Sequence, residues 1–280
     1  MLTIKNNYNI QAEFYTKKKI FGASLHSVLK KLVYTLFIAV ALLAACKPKS
    51  YATQGVVPNN TRINTVDTAF KPDSNMLRLI APYKTRLDSQ MNVVIGTAEV
   101  DLPNTRPNGL LGNFIADILK DETSKAIKRD VDFAFTNISG IRLPSLPKGP
   151  VTQGKIFELL PFDNMVVAAE VSGETLKKML EMIAAKGGEA ISGFHLTIKD
   201  KQLVRAIYKG TDVDFNRTYI ICTNDFIFNG GDNYLMFKHG VIKQYATNIT
   251  IRDMVMGYIN KLNTSNLAIN PAPDERITVQ

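Results

Sequence analysis

The chain has 280 residues, of which 45% are hydrophobic, so it is long enough to bury a substantial core in one or two domains. Its net charge of +9 is unevenly placed: residues 1–45 hold six lysines against one acidic residue, whereas residues 46–280 have an excess of only four basic residues. A mild excess over most of the chain is typical of a solvated surface, and we expect no nucleic-acid partner.

Residues 1–45 are typical of a secretory signal peptide with an extended basic start. Two lysines precede an apolar run, residues 32–46, that is too short to span a membrane comfortably. The run ends in LAAC, which resembles a bacterial lipobox, where the cysteine becomes the lipidated first residue. We therefore predict an exported protein that lipid on Cys46 anchors to the bacterial cell envelope, at the outer membrane or the periplasmic face. A retained membrane helix is the alternative.

Residues 46–74 hold few large apolar side chains and many Pro, Asn, Thr and Ser residues, which predicts a flexible tether. The chain has two cysteines, and lipid on Cys46 leaves Cys222 without a partner. Because Cys222 lies in an apolar run, we interpret it as a small core residue.

Residues 75–280 have the pattern of one α+β domain, with mixed sheets and flanking helices. Apolar residues at helical spacing begin with Met76, Leu77 and Ile80. Ser172 precedes a helical run and is predicted to be its N-cap. The predicted helices cover residues 76–87, 109–127, 152–162, 172–185 and 251–263. The predicted strands cover residues 92–100, 131–137, 164–173, 190–200, 203–210 and 218–228.

The histidines of this domain do not indicate a catalytic centre. His195 and His239 lie outside any HxH, HExxH or DxH pattern, whereas a two-metal phosphatase needs several His and Asp ligands. The sequence also has no GxSxG elbow, Walker A loop or Cys–His pair. We therefore predict no catalytic residue, no metal site and no cofactor in this chain, and no autonomous activity.

Three loops at strand ends carry residues of the kind that bind ligands. In the first, Asn137 and Gly140 lead to Arg142, and exposed backbone N–H groups beside a planar guanidinium suit a phosphate or another oxyanion. A purely structural turn is the alternative. In the second loop, Phe162 follows a proline, and capping of the core edge is the alternative.

The third loop is NGGDNY, residues 229–234. Its two glycines permit positive φ, so the backbone can turn sharply or approach a ligand closely. Asp232 can accept two hydrogen bonds from a sugar diol, and Phe226 or Phe228 can stack on a flat ring, which contributes on the order of 1–3 kcal/mol per base. Two aromatic faces, an aspartate and an arginine match the base, ribose and phosphate of a nucleotide. A hairpin turn with core aromatics is the alternative.

Taken together and in this order, the loops resemble those of the C-terminal, substrate-binding domain of the 5′-nucleotidase family. The likeness covers roughly residues 75–280. It rests on six ordered segments: LGNFIADIL (111–119), TNISGIR (136–142), VTQGKIFELLPFDN (151–164), VSGETLKKMLE (171–181), SGF (192–194) and NGGDNY (229–234).

The resemblance implies a role for each loop. Phe162 and Phe226 would sandwich the base, and Asp232 would hold the ribose hydroxyls. Asn137 and Arg142 would face the ribose and the phosphate.

Two further residues and two departures follow from the same resemblance. Arg106 lies near the arginine that precedes the LGN helix in the family, offset by one residue, and Gly193 of the SGF segment is included among the substrate-binding residues. The family usually has Gly-Gly-Asp-Gly-Phe where this chain has Gly-Gly-Asp-Asn-Tyr. It often has Asn-Gly-Gly-Gly-Ile-Arg where this chain has Asn-Ile-Ser-Gly-Ile-Arg, so backbone freedom for close phosphate approach is reduced.

Family enzymes also carry an N-terminal metallophosphatase domain with two metals and a catalytic His–Asp pair, and residues 1–74 leave no room for it. We therefore expect the nucleotide- or nucleoside-binding half of a 5′-nucleotidase-type phosphate-ester hydrolase, with divalent metals supplied by a separately encoded metallophosphatase. One alternative is a non-catalytic lipoprotein that binds nucleosides or nucleotides for uptake or sensing. Another is a relic whose core persists while the site drifts.

Overall fold

The computed structural model describes residues 29–38 and 71–280. Contacts divide the chain into two units, Met1–Lys71 and Pro72–Gln280. In the first unit, residues 29–38 form an exposed helix, α1. The rest of the predicted signal segment, Cys46 and most of the predicted tether lie outside the described residues. Among the helices that are described, none combines the length and the apolar character needed to cross a membrane.

The second unit combines helices and strands in mixed order, which confirms the predicted α+β class. The helices are α2 (Ser74–Met91), α3 (Leu110–Ile127), α4 (Gln153–Leu159), α5 (Gly173–Ala185), α6 (Asp225–Phe228), α7 (Phe237–Gly240) and α8 (Ile251–Thr264). The strands are β1 (Val94–Ala98), β2 (Leu102–Pro103), β3 (Phe133–Thr136), β4 (Ser145–Leu146), β5 (Gly149–Thr152), β6 (Met165–Ser172), β7 (Ala190–Ser192), β8 (Phe194–Lys199), β9 (Gln202–Tyr208), β10 (Thr211–Asp212), β11 (Thr218–Asn224), β12 (Val241–Thr250) and β13 (Ile277–Val279).

A mixed five-stranded sheet, in the order β12-β6-β11-β3-β7, forms the centre of this unit. Strand β11 runs parallel to β3, with Ile221 opposite Phe133, and antiparallel to β6. A four-stranded sheet, β10-β9-β8-β13, and the two-stranded pairs β1-β5 and β2-β4 complete the strand pairing.

Hydrophobic cores cover both faces of the five-stranded sheet. Side chains alternate between faces along a strand, so Phe133 joins one core and Ala134 the other. The first core packs α3 and α8 against the sheet, and the second packs α5 and the four-stranded sheet against it. Strands β3 and β11 are therefore buried on both sides, and only their ends are free to form a site.

Two predicted strands end earlier than their apolar runs. The run 190–200 breaks at Gly193, where φ is +100° and an added Cβ would lie 2.2 Å from the Asp132 carbonyl oxygen, so β7 and β8 enter different sheets. The run 218–228 ends as a strand at Asn224, whose side chain accepts a hydrogen bond from the Ile227 N–H at 2.8 Å and caps α6.

Helix α5 confirms Ser172 as its N-cap, because the Ser172 hydroxyl accepts a hydrogen bond from the Thr175 N–H at 3.2 Å. Helix α2 also forms as its periodicity predicts, but none of its residues is buried. The apolar side chains that produced the prediction, among them Met76 and Ile80, remain exposed to solvent.

Candidate functional site

The candidate site lies at one edge of the five-stranded sheet. Because β3 and β11 are parallel, their carboxyl ends meet at this edge, and ligands commonly bind at such an edge. The antiparallel strand β6 begins at the same edge, since Val166 pairs with Asn224. The three loops that the sequence singles out are therefore brought together by strand order and direction.

Five of the predicted substrate-binding residues line one pocket of about 200 Å³ at this edge. Loop residues that follow β3, precede β6 and follow β11 all contribute to it. The lining residues are Asn137, Ser139, Gly140, Arg142, Phe162, Asn164, Phe226 and Asp232.

Two phenylalanines supply the apolar surface of the pocket. Phe162 is 45% exposed and Phe226 is 46% exposed, although both follow buried segments. Among the described residues, neither ring pairs with another aromatic side chain, and the Arg142 guanidinium lies 5.3 Å from the centre of the Phe162 ring. Half-exposed rings of this kind leave faces on which a flat ligand can stack.

Asn137 connects the polar groups of the pocket. Its side-chain amide donates to Asp232 Oδ2 at 2.9 Å and to Ser139 Oγ at 3.0 Å. Its side-chain Oδ1 accepts a hydrogen bond from the side-chain amide nitrogen of Asn224 at 3.1 Å. Asn137 is itself buried, and its bond to Oδ2 orients the Asp232 carboxylate, whose other oxygen accepts no hydrogen bond from the described residues.

Asn224 is a site residue that the sequence reasoning missed. Its side-chain Nδ2 donates to Asn137 Oδ1, and its side-chain Oδ1 accepts from the Ile227 N–H, which caps the helix that carries Phe226. One side chain therefore ties the ends of β3 and β11 to the aromatic wall. The available signal was an asparagine directly after a buried apolar strand, a position where a polar side chain needs partners.

The NGGDNY turn requires left-handed backbone at several positions. Gly230 has φ of +96°, Asp232 of 53° and Asn233 of 68°. Asparagine is one of the few residues with a side chain that tolerates this region, which explains why Asn233 serves where the family usually has glycine. In the first loop, by contrast, Ile138 and Ser139 do not have positive φ, so losing two glycines there introduces no strain of that kind.

Gly231 is needed because of its neighbour. An added Cβ at Gly231 would lie 2.5 Å from the Phe226 carbonyl oxygen and 2.6 Å from its ring. The turn therefore packs its backbone directly against the residue that forms one wall of the pocket.

Arg106 is not among the residues that line the pocket. Its guanidinium donates to the Gly188 carbonyl oxygen and lies 3.3 Å from Glu189 Oε2, which also accepts a hydrogen bond from the Ile138 N–H at 2.7 Å. Glu189 is only 1% exposed, and this burial raises its pKa above the ordinary value of 4.5. Arg106 and Glu189 thus support the Asn137 loop from behind.

Gly193 lies away from the pocket as well. It lines a separate, polar cleft of about 510 Å³ beside Lys120, Tyr208 and Lys209. The close backbone approach to Asp132 explains why glycine is required at this position, so the SGF segment marks a packing requirement in this chain rather than a wall of the pocket.

Cys222 and His195 do not line the pocket. Cys222 is buried against Thr123, and burial raises the pKa of its thiol to about 12. His195 is exposed, and its ring Nδ1 lies 3.4 Å from the Glu275 carbonyl oxygen. Within residues 29–38 and 71–280, no group of three His, Cys, Asp or Glu side chains is placed to hold a metal ion.

Comparison with known proteins yields matches that include the loops of the pocket. The family model described as "5′-nucleotidase, C-terminal domain" matches residues 94–239, which is more than half of the chain. Endonuclease YhcR of Bacillus subtilis is 31% identical over 186 residues, covering 62% of this chain and 15% of that protein. The cell wall protein Lmo0130 of Listeria monocytogenes is 28% identical over 209 residues, covering 65% of this chain and 26% of that protein.

A solved structure shares the fold. The 5′-nucleotidase precursor from Thermus thermophilus superimposes with a TM-score of 0.64 at 27% identity, covering 74% of this chain and 44% of that one. The chain therefore spans less than half the length of each of these relatives. The matched residues include all three loops of the pocket, and the chain belongs to the family of 5′-nucleotidase C-terminal domains.

Proposed function

We propose that this chain is the nucleotide- or nucleoside-binding half of a 5′-nucleotidase-type phosphate-ester hydrolase. The observation that carries the proposal is the gathering of Phe162, Phe226, Asp232, Asn137 and Arg142 around one pocket. These are the side chains that the family resemblance assigns to a base, a ribose and a phosphate.

The chemistry of each wall supports this ligand class. The exposed rings of Phe162 and Phe226 offer stacking surfaces for a base. Asp232, oriented by Asn137, has an oxygen available for ribose hydroxyls. Arg142 provides planar donors for a phosphate at the open side of the pocket, where it is exposed.

Hydrolysis needs more than this pocket. A two-metal clamp stabilises the attacking and leaving oxygens of phosphate-ester hydrolysis, and in the family that clamp belongs to the metallophosphatase domain. We therefore propose that a separately encoded metallophosphatase supplies the metals and completes the active site. Binding without that clamp does not accelerate the reaction by this mechanism.

A second candidate function is capture of nucleosides or nucleotides without catalysis. The observation that favours it is that one pocket gathers two aromatic faces, a carboxylate and a guanidinium, which together can contact a nucleoside or nucleotide. A protein that binds for uptake or sensing would then need no partner to bind its ligand.

The proposed location is the cell envelope. One relative is named a cell wall protein, and the apolar run ending in Cys46 resembles a lipoprotein signal. We propose that the domain is exported and held to a membrane by lipid on Cys46.

Calorimetric titration of the full-length chain with AMP and adenosine tests the binding proposal. We expect Phe226→Ala to weaken binding by about 5- to 150-fold, the equivalent of ~1–3 kcal/mol for one stacking partner. Tyr83→Ala is the matched control, because Tyr83 is an exposed aromatic residue on α2 outside the pocket. Absence of binding by the folded parent, or equal affinity of the Phe226→Ala variant, would contradict the proposal.

Adding a metallophosphatase separates the two candidate functions. AMP hydrolysis that appears only in the mixture, and falls with Phe226→Ala, supports the binding half of an enzyme. If this chain binds AMP tightly but does not change the rate of AMP hydrolysis by the metallophosphatase, the result supports capture without catalysis.

A further inference from the structure

We infer that Arg252, the second residue of α8, is a positioning residue that holds Phe162 in place at the pocket. The inference rests on the proposed function, because Phe162 is taken as a stacking wall for the base. It concerns a residue outside the pocket, which acts through the loop that carries Phe162.

The loop around Phe162 makes few contacts of its own. Pro161, Phe162 and Asp163 are all exposed, and the Asp163 side chain is 80% exposed. An exposed loop of this kind gains little from apolar burial, so its conformation depends on polar ties to the rest of the fold.

Arg252 supplies two such ties, one on each side of Phe162. Its Nη1 donates to the Leu160 carbonyl oxygen at 3.2 Å, and its Nη2 donates to a carboxylate oxygen of Asp163. A third tie comes from the neighbouring residue, since the Ile251 N–H donates to the Asn164 carbonyl oxygen at 2.9 Å. The first turn of α8 therefore holds the loop at three points.

The guanidinium is itself held rigidly. Arg252 is 8% exposed, and its guanidinium carbon lies 4.3 Å from the centre of the Phe157 ring on α4. Stacking of this kind fixes the plane of the guanidinium, so its two Nη groups point in fixed directions.

The energetics separate this role from a purely stabilising one. The buried Arg252 Nε has no hydrogen-bond partner among the described residues, so burial of this side chain carries a cost. Asp163 is largely in solvent, where an ion pair adds little stability. Buried ion pairs can often be replaced by apolar residues without loss of stability. We therefore attribute the Arg252 guanidinium to the loop geometry that its two Nη groups set.

A preset loop favours binding. If Phe162 already occupies its place in the free protein, the ligand does not have to order it, and the saving appears as affinity. Removing the Arg252 guanidinium should therefore loosen the Phe162 loop in the ligand-free protein, and the affinity for the ligand should fall as a consequence.

The experiment uses the absence of tryptophan from the chain. Phe162→Trp introduces a single tryptophan into the full-length protein, which otherwise holds ten tyrosines. With excitation at wavelengths that tyrosine does not absorb, acrylamide quenching and anisotropy of the introduced indole report its surroundings without any ligand. In that background we expect Arg252→Met, which keeps an unbranched stem as far as the position of Nε but removes the two Nη donors, to raise quenching and lower anisotropy. Arg252→Lys should recover only part of the change, because an ammonium cannot bridge both acceptors.

Arg217→Met is the matched control. The Arg217 guanidinium also lies 4.3 Å from an aromatic ring, that of Tyr219, but within the described part of the chain it makes no contact with the Phe162 loop. We expect this variant to leave the indole signal unchanged. If Arg252→Met does not fold, Asp163→Ala removes one tie from the exposed side and should produce a smaller change in the same direction.

Titration with AMP in the Phe162 parent completes the test. Affinity for Arg252→Met should fall about 2- to 10-fold, the range for re-ordering one side chain. Unchanged quenching and anisotropy in folded Arg252→Met and Asp163→Ala would overturn the inference. If AMP fails to bind the parent, the proposed function is wrong, whereas the ligand-free indole signal still decides the role of Arg252.

Discussion

Two asparagines show how single residues build this pocket. Asn224 ends a buried strand, caps the helix that carries Phe226 and donates to Asn137. Asn137 in turn donates to Asp232. Asn224, Asn137 and Asp232 are thus linked by successive hydrogen bonds, and each side chain orients the next.

Glu189 leads to a prediction about pH. Burial raises the pKa of its carboxyl, and this effect outweighs the hydrogen bond from the Ile138 N–H and the charges of Arg106 and Lys186, which lower that pKa. Tyr234 lies nearby. The native state then holds this proton more tightly than the unfolded chain, so the free energy of unfolding falls as pH rises from 4.5 towards the native pKa. Since glutamine does not ionise, we expect the stability of Glu189→Gln relative to the parent to increase as the pH rises above 4.5.

Urea unfolding at several pH values measures this difference. Glu174→Gln is the control, because Lys178 lowers the pKa of exposed Glu174, so its contribution is present at high pH and lost as pH falls. That variant should show a small change of opposite sign. A pH-independent difference between Glu189→Gln and the parent would show that Glu189 has no raised pKa.

At the scale of elements, the site depends on where strands stop. The turn after α6 reaches its shape through left-handed residues, and its backbone packs against Phe226 at Gly231. The long edge strand β12, by contrast, has one strand neighbour and many exposed side chains. The turn after α6 is therefore closely packed, whereas the edge strand β12 is largely open to solvent.

Gly231→Ala tests the contact between the turn and the aromatic wall. The added Cβ would displace Phe226, because the Phe226 carbonyl and ring both lie within 2.6 Å of its position. We expect AMP affinity to fall about fivefold or more, corresponding to the loss of ~1 kcal/mol or more of stacking, in a protein that remains folded. Isothermal calorimetry and circular dichroism provide the two readings.

Gly257→Ala is the matched control for that variant. Gly257 lies within α8, and an added Cβ would have no described neighbour within 4 Å beyond the adjacent backbone of its own helix. Alanine there should increase stability by up to about 1 kcal/mol through helix propensity and leave binding unchanged. Equal AMP affinities of the Gly231→Ala variant and the parent would show that Phe226 does not depend on the turn.

At the scale of the whole molecule, two cores clamp a sheet whose edge carries the pocket. Strands β3 and β11 are covered on both faces, so their ends are held rigidly. A rigid sheet with a binding edge is a scaffold that positions loops from distant parts of the chain. The proposed anchor at Cys46 would place this scaffold at a membrane surface.

The anchor predicts a covalent change at one residue. In a bacterium that processes lipoproteins, we expect mass analysis of the mature protein to find residue 46 as its first residue, carrying lipid. Cys46→Ser should abolish the lipid, whereas Cys222→Ser should retain it, because Cys222 is buried in the folded unit. An unmodified Cys46, or a mature protein that begins elsewhere, would contradict the anchor.

Much of the fold and of the pocket was predictable from local pattern. Helices α3, α5 and α8 follow their apolar spacing, and the pocket gathers Phe162, Phe226 and three polar residues of the loops. The predictions failed where a local pattern has two readings. An apolar run does not reveal that Gly193 sends it into a second sheet, and β12 alternates too little to be seen as a strand.

Local sequence patterns were sufficient for the α+β class and most helices, because backbone preference and apolar spacing act over a few residues. Residue types singled out the three loops, and the resemblance to the family implied that they form one site. The distant groups that support those loops emerge only from the packed fold. Asn137 meets Asp232 across 95 positions, and Arg252 meets Asp163 across 89. Packing likewise placed Arg106 behind the loop and Gly193 outside the pocket. Such contacts depend on how sheets and helices pack, and no local pattern encodes them.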